Sequence, residues 1–273
     1  MAEYDETTYG ERIAEVYDLF YGKRDNPEAV ADFLAPLAGK RRALEPGIGT
    51  GRIAIPLAAR GVRVIGIDAS PAMVAKMRAK PGGADIPVVL GNFADVKVSG
   101  GGFGLVYIAF STLFALRNQD EQLRCFQQVA KRILPAGAFV VEVFNPDHSI
   151  LAQRQRVTAV EVGTDHAVLD LATNDVVNQT VHAQHILFTA GGVQMYPVQS
   201  RFAYPSELDL MARLSGMRLR ERYGGWDRSP FTAASPVYIS VYELQPNVAS
   251  ASPKITSKRA RLRKPTRKSS IRT

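Results

Sequence analysis

The sequence predicts a doubly wound parallel α/β sheet, interrupted after its fifth strand by an antiparallel β insertion. Three observations carry that expectation. Strand-like and helix-like segments alternate as far as Pro146, the rhythm of a parallel sheet with right-handed crossovers. After Pro146, Val- and Thr-rich runs follow one another with turn signals and no helix between them. A glycine-rich turn, Gly47-Ile48-Gly49-Thr50-Gly51, joins the first strand to its helix.

Taken in order, an apolar helical pattern runs through Glu11–Tyr21 and another through Pro27–Leu37. A short strand at Arg42–Glu45 leads into the glycine turn and a helix from about Gly51 to Arg60. Val62–Ile67 is a near-continuous apolar run, as a strand covered on both faces requires. Pro71 suits a first helical position, with Ser70 as its cap. Further strands are expected at Val88–Leu90, Gly104–Phe110 and Ala138–Phe144, with a helix over Gln119–Leu134 that stops at Pro135-Ala136-Gly137. The insertion reads as strands Val157–Val162, Ala167–Leu171, Val176–Leu187 and Val193–Ala203. Its turns fall at Gly163-Thr164-Asp165, Asn174-Asp175 and Gly191-Gly192. A helix over Pro205–Leu214, stopped by Gly216, and strands Met217–Arg222 and Val237–Leu244 complete the pattern. The expected organisation is residues 1–40 as helices over the site, 41–150 as the binding core, 151–204 as the insertion, 205–244 as the return to the core, and 245–273 as a tail.

Composition narrows the class. At roughly 150 residues per domain, 273 residues make about two domains or one with an insertion. With 46% hydrophobic residues such a chain buries a large core without disulfides or structural metals. The single cysteine, Cys125, excludes an internal disulfide framework and a Cys-rich zinc site, and reads as a packing residue. The acidic start lacks the apolar stretch of a secretory signal, and no run approaches a membrane span. The expectation is a cytoplasmic protein with no membrane partner. The net charge of +8 belongs to one segment: nine Lys and Arg lie between Lys254 and Arg272, and subtracting them leaves −1 for the body. Such a tail, low in large apolar residues, is expected to be disordered.

Spacing decides the ligand of the glycine turn. A dinucleotide fingerprint, G-x-G-x-x-G/A, needs a small residue where this chain has Arg52. A nicotinamide-linked oxidoreductase is therefore disfavoured. Asp68, at the end of Val64-Ile65-Gly66-Ile67-Asp68, can accept both hydroxyls of a ribose or, alternatively, cap the helix that starts just beyond.

Glu45-x-Gly47-x-Gly49-x-Gly51 followed by Gly66-x-Asp68-x-Ser70-x-x-Met73 resembles the class I S-adenosylmethionine-dependent methyltransferases over roughly residues 9–244. The resemblance implies a Rossmann-like methyltransferase sheet and S-adenosylmethionine as cofactor. It implies that Glu45, Gly47, Gly49 and Gly51 surround the methionine part, that Asp68 holds the ribose, and that Ala69 and Met73 border the adenine. Asn92, Phe93 and Ala94 follow the third strand, where the family usually has an Asp for the adenine amino group. The Asn92 side-chain oxygen can still accept, and Phe93 can pack on the adenine. Ala109 and Phe110, with Ser111-Thr112, end the fourth strand and should lie beside the sulfonium. Pro46 departs from the family's usual residue.

The acceptor follows less directly. An Asn- or Asp-Pro-Pro-aromatic motif of nucleic-acid amino methyltransferases is absent after the fourth strand, where Phe110-Ser111-Thr112-Leu113 stands, and the body carries no basic surplus for a nucleic-acid groove. The expected partner is a small molecule methylated on N or O. The alternatives are a non-catalytic cofactor-binding protein and a nucleic-acid-associated methyltransferase tethered by the tail. Tyr9-Gly10-Glu11-x-x-Ala14-Glu15-Val16-Tyr17 is similar to the start of sugar N-methyltransferases, which implies that Tyr9 and Tyr17 meet the cofactor's methionine end. Those relatives often carry Gly-His after the fourth strand, and this chain has Phe114-Ala115. His148, after the fifth strand, is then the first candidate base, with Tyr17 a second catalytic candidate. His182 and His185, three apart on one strand, point to opposite faces and cannot jointly grip a metal. His166 falls near a turn. Arg201, Tyr204 and Trp226 are candidate walls of the acceptor pocket. No metal is expected.

Overall fold

The structure is a computed structural model describing residues 4–21, 26–100 and 102–246; the basic tail from residue 247 lies outside them. Strands β1 (Arg42–Pro46), β2 (Val64–Asp68), β3 (Val88–Leu90), β4 (Phe103–Ile108) and β5 (Ile133–Phe144) are parallel. The chain then builds a separate antiparallel sheet from β6 (Gln155–Val162), β7 (His166–Asp175), β8 (Thr180–Thr189) and β9 (Gly192–Arg201). It returns as β10 (Met217–Tyr223) and β11 (Val237–Leu244), giving a seven-stranded order β10-β11-β5-β4-β1-β2-β3 with β11 antiparallel to both neighbours. The doubly wound sheet and its antiparallel insertion are thus as the sequence predicts.

The layers follow from burial. Every residue of β4 is buried, which is why that strand is apolar on both faces. On one face α6 (Gln119–Ala130) and α8 (Pro205–Leu214) pack Phe126 and Met211 on Phe139 and Tyr242. On the other, α3 (Pro27–Ala38) and α4 (Ala54–Ala59) bring Leu34 and Leu57 onto Tyr107 and Ile239. A third cluster joins the N-terminal segment to α5 (Pro71–Arg78) and the insertion: Ile13, Tyr21, Met73, Val168, Leu187 and Tyr196.

Three local expectations change. The single helix expected over Glu11–Tyr21 is two, α1 (Thr8–Ile13) and α2 (Tyr17–Tyr21), with a turn at residues 14–16. The break lets an acidic row dock on the core. Glu11 accepts from Ser70 Oγ at 2.7 Å and Ala72 N at 3.0 Å, Glu15 pairs with Lys76, and Asp18 takes Thr50 Oγ1 at 2.8 Å and Lys80 at 2.7 Å. α6 stops at Ala130 instead of Leu134, because Ile133 already pairs with Phe103 in the sheet. The strand expected from Val176 starts at Thr180, since Asp175 Oδ1 accepts from Val177 N and Asn178 N, both at 3.0 Å, and so closes a turn there. Among the described residues no helix is long and apolar enough to cross a membrane, and no group of three His, Cys, Asp or Glu could hold a metal.

Strand order reverses between β1 and β4, and the crevice at the carboxyl ends of such a pair is where open α/β sheets bind ligands.

Candidate active site

A cavity of about 590 Å³ opens at that switch point, within the range of roughly 300–1,000 Å³ usual for small-molecule sites. Its floor is the glycine turn. Gly47 takes φ +74° and Gly49 φ +57°, and a Cβ on Gly47 would stand 2.3 Å from Thr112 Cγ2, so only glycine lets the β1 and β4 ends close on one another. Gly47 N and Ile48 N donate to Ile67 O at 2.7 and 3.0 Å, tying the turn to the end of β2.

Asp68 faces this turn. Its Oδ2 accepts from Gly49 N at 2.7 Å and its Oδ1 from Ser70 N at 2.9 Å. Burial pushes its carboxyl above the usual range, while the N–H groups of Ser70, Gly49 and Ala69 pull it back. Glu45 lies beneath, 5% exposed, and accepts from Tyr107 Oη at 2.8 Å. Burial raises its pKa to about 8, against the pull of the Tyr107 bond and the Arg52 charge, with Asp68 adding a further push. The Arg52 guanidinium lies 4.5 Å from the Phe110 ring centre.

The β4 end is strained in a way that shapes the wall. Phe110 and Ser111 both take φ +58°, the left-handed region that non-glycine residues avoid at a cost of roughly 1–3 kcal/mol each. Three bonds hold them there. Phe110 N donates to the Glu142 carboxylate, Ser111 N donates to Glu142 O at 3.1 Å, and Phe144 N donates to Ser111 Oγ at 2.9 Å. Glu142, Phe144, Phe110 and Ser111 all line the cavity as a result.

The opposite wall comes from the N-terminal helices and the insertion: Tyr4, Tyr9, Tyr17, Tyr21, His185 and Gln199. Gly10 brings α1 onto α5 so closely that a Cβ there would meet Ser70 Cβ at 2.5 Å. Tyr21 Oη lies 2.7 Å from His185 Nε2, and His185 Nδ1 is hydrogen-bonded to Asp170 Oδ1.

Of the residues singled out from sequence, Tyr9, Tyr17, Gly47, Gly49, Asp68, Ala69, Met73, Phe93 and Phe110 line this cavity. Glu45, Gly51, Asn92, Ala94 and Ala109 are not part of the lining. Asn92 Oδ1 accepts from Ala94 N at 2.8 Å and caps a short turn over Phe93–Asp95. His148 opens the short helix α7 (His148–Leu151), and its side chain lies outside the described residues. Arg201, Tyr204 and Trp226 do not line the cavity: Arg201 is buried against Gln122 and Glu207, and Tyr204 and Trp226 pack edge-to-face with Phe202 and Phe33. Cys125 is fully buried, its thiol pushed up to about 12 by that burial. The His185–Asp170 pair was missed by sequence reasoning. The signal is their direct cross-strand pairing between β7 and β8, which needs the register.

Residues 43–137 match a methyltransferase domain model. The CcbJ methyltransferase from Streptomyces caelestis superposes with a TM-score of 0.85 at 41% identity, covering 89% of this chain and all of that one. The chain belongs to the S-adenosylmethionine-dependent methyltransferases. A curated relative, the cypemycin N-terminal methyltransferase of a Streptomyces, is 26% identical over 88% of this chain and 99% of its own length. The sugar N-methyltransferase KedS8 from a Streptoalloteichus shares the fold, with a TM-score of 0.62 at 21% identity over 90% of this chain and 99% of that chain. The methyltransferase uses S-adenosylmethionine, and the cradle fits it: a close-approach glycine turn, a carboxylate facing it and a second, buried acid below for a cationic ligand.

Proposed function

We propose that the methyltransferase acts on a small molecule, at an N or O atom, with an amine nitrogen the favoured acceptor. One observation carries the reading: a single cavity joins the glycine turn and Asp68 to the aromatic and His185 wall, which supports donor and acceptor sharing one space. The relative whose name states an N-terminal methyl transfer supports nitrogen.

In this reading Asp68 takes the ribose hydroxyls. Glu45, Gly47, Gly49 and Gly51 surround the methionine part, with Tyr9 and Tyr17 across from it. Ala69, Met73, Asn92, Phe93 and Ala94 form the adenine side, and Ala109 and Phe110 flank the sulfonium. The cofactor supplies an activated methyl group. The chain's residues orient the acceptor behind it and exclude water, the positional contribution that dominates such a displacement. Residues 1–40 and 151–204 cover the acceptor side, 41–150 hold the cofactor, and 205–244 complete the sheet.

Transfer of a radiolabelled methyl group across a panel of amines, phenols and carboxylic acids tests the acceptor, with cofactor binding followed by calorimetry. Turnover of an amine is expected. Cofactor binding with transfer only to carboxylates or hydroxyls overturns nitrogen.

A further inference from the structure

We propose that Tyr21, His185 and Asp170 form the proton relay that deprotonates the acceptor, an inference that rests on the amine reading above. A protonated amine has no lone pair to offer the methyl carbon, so a bound ammonium must first lose a proton. The β4 end, with Phe114-Ala115, supplies no base, and the Glu142 carboxylate is engaged by Phe110 N.

The three residues come from three separate elements. Tyr21 ends α2, Asp170 lies on β7 and His185 on β8, and Asp170 and His185 are directly opposite in the register. Facing the Asp170 carboxylate, which only accepts, His185 Nδ1 is the donor. That fixes the tautomer and leaves Nε2 as the acceptor of the Tyr21 hydroxyl at 2.7 Å. This is the arrangement by which an oriented imidazole activates a hydroxyl. Tyr21 and His185 line the cavity, and Asp170 does not. The Tyr21 ring is held edge-on to Phe110, 5.2 Å between centres, on the β4 end. The Tyr9 hydroxyl is a further hydrogen-bonding neighbour of Tyr21. Tyr196, paired with His185 on β9, donates its hydroxyl to Gln194 at 2.8 Å and does not enter the chain of bonds.

The acceptor N–H bond breaks and its proton passes to Tyr21 Oη, while the Tyr21 phenol proton passes to His185 Nε2. The electron pair left on nitrogen is the nucleophile. His185 becomes an imidazolium against the Asp170 carboxylate and returns the proton to water after transfer. Tyr21 and His185 are catalytic in this scheme, and Asp170 is a positioning residue.

Nitrogen NMR of the labelled full chain, without any acceptor, reads the tautomer directly, with His185→Gln assigning the signal. A neutral His185 protonated on Nδ1 is expected, with its Nε2 signal moved by Tyr21→Phe and the tautomer preference lost in Asp170→Asn. An Nε2-protonated ring in the wild type overturns the relay. Single-turnover methyl transfer to piperidine, glucosamine and a tripeptide with a free terminal amine gives the second arm. His185→Ala is expected to slow transfer about a hundredfold, the scale of a lost general base, with cofactor affinity unchanged and added imidazole restoring rate. Asp170→Asn lowers kcat with little change in KM. A His185→Ala variant with wild-type thermal stability and a rate within about threefold of wild type overturns the relay, since a base contributes far more than that. If the wild type methylates none of the three amines, the amine acceptor fails on that control, and the tautomer still decides the relay.

Discussion

Asp68 stands 19 residues from the glycine nitrogen it accepts from, whereas Tyr21 stands 164 residues from the histidine it meets. The cavity thus has two halves built by different means. The half proposed for the cofactor is built mostly from one run of the chain, around the glycine turn and the Asp68 carboxylate that faces it. The half proposed for the acceptor is assembled from α2, β7 and β8, and exists only once the insertion has docked. The difference teaches that the first half stands on local geometry, and the second on long-range anchoring.

That anchoring has an identifiable centre. Arg201, 7% exposed at its side chain, donates to Gln122 Oε1 at 2.6 Å and pairs with Glu207 at 2.5 Å, and Gln179 also donates to Glu207 at 2.8 Å. These bonds tie β9 to α6 and α8. Arg201→Ala takes the counter-charge from the half-buried Glu207 carboxylate, which keeps only the Gln179 and Gln119 amides, and is expected to cost about 3 kcal/mol, the largest effect here. Chemical denaturation measures it. The sharper test is whether protease cuts the insertion first; simultaneous loss of both halves breaks the comparison.

In the other half, Asp68→Ala removes the carboxylate proposed to take the ribose and strips Gly49 N and Ser70 N of their partner. Cofactor affinity by calorimetry is expected to fall about a hundredfold, as two stranded donors and two lost hydroxyl bonds imply. Tyr21→Phe, in the acceptor half, should leave that affinity unchanged. Equal losses from both variants would erase the distinction.

The same contrast explains what could be read in advance. The strands β1 to β5, the helix cap at Ser70, and the glycine turn with Asp68 are encoded by neighbours in sequence. Spacing alone exposes them. His185 looked like one of a strand's two unremarkable histidines, and alternation did place it on the opposite face from His182. What sequence could not supply was the β7–β8 register that sets Asp170 across from it, or the fold-over of α2. The bend of the N-terminal helix escaped for a similar reason, since a clamp by Ser70, Lys76 and Lys80 is a long-range contact. Arg201 was visible as a candidate but for the wrong role: its partners Gln122 and Glu207 come from two other elements.

Two acids give the halves opposite pH signatures. For Glu207, burial opposes ionisation, but hydrogen bonds from Gln179 and Arg201 with the Arg201 charge prevail and lower its pKa. Its contribution is present above the unfolded glutamate value of about 4.3 and is lost as pH falls through its lower folded value. Glu45 runs the other way. Its folded pKa of about 8 means that the folded state holds a proton the unfolded state releases. That stability is full below about 4.3 and is lost as pH rises to about 8. Cofactor-free thermal stability should therefore decline across neutral pH, and Glu45→Gln should flatten the decline. A cationic ligand favours the charged form of Glu45, so the stabilisation by S-adenosylmethionine should grow over the same window. A stabilisation independent of pH separates Glu45 from the cofactor.

The smallest effect belongs to the clamp between the halves. The Lys76–Glu15 pair has side chains 37% and 79% exposed, and pairs in that setting contribute about 0–1 kcal/mol. Lys76→Ala should therefore shift thermal stability barely above error, and should loosen cofactor binding by no more than about threefold, because Glu11 on Ser70 and Asp18 on Thr50 keep the segment docked. Added salt should mimic the variant in the wild type and do nothing further in Lys76→Ala, since screening acts on the same exposed charges. A much larger loss from Lys76→Ala would mean that the N-terminal helices close over the cofactor through this one contact. The acceptor half would then depend on a surface ion pair as well as on the buried Arg201 anchor.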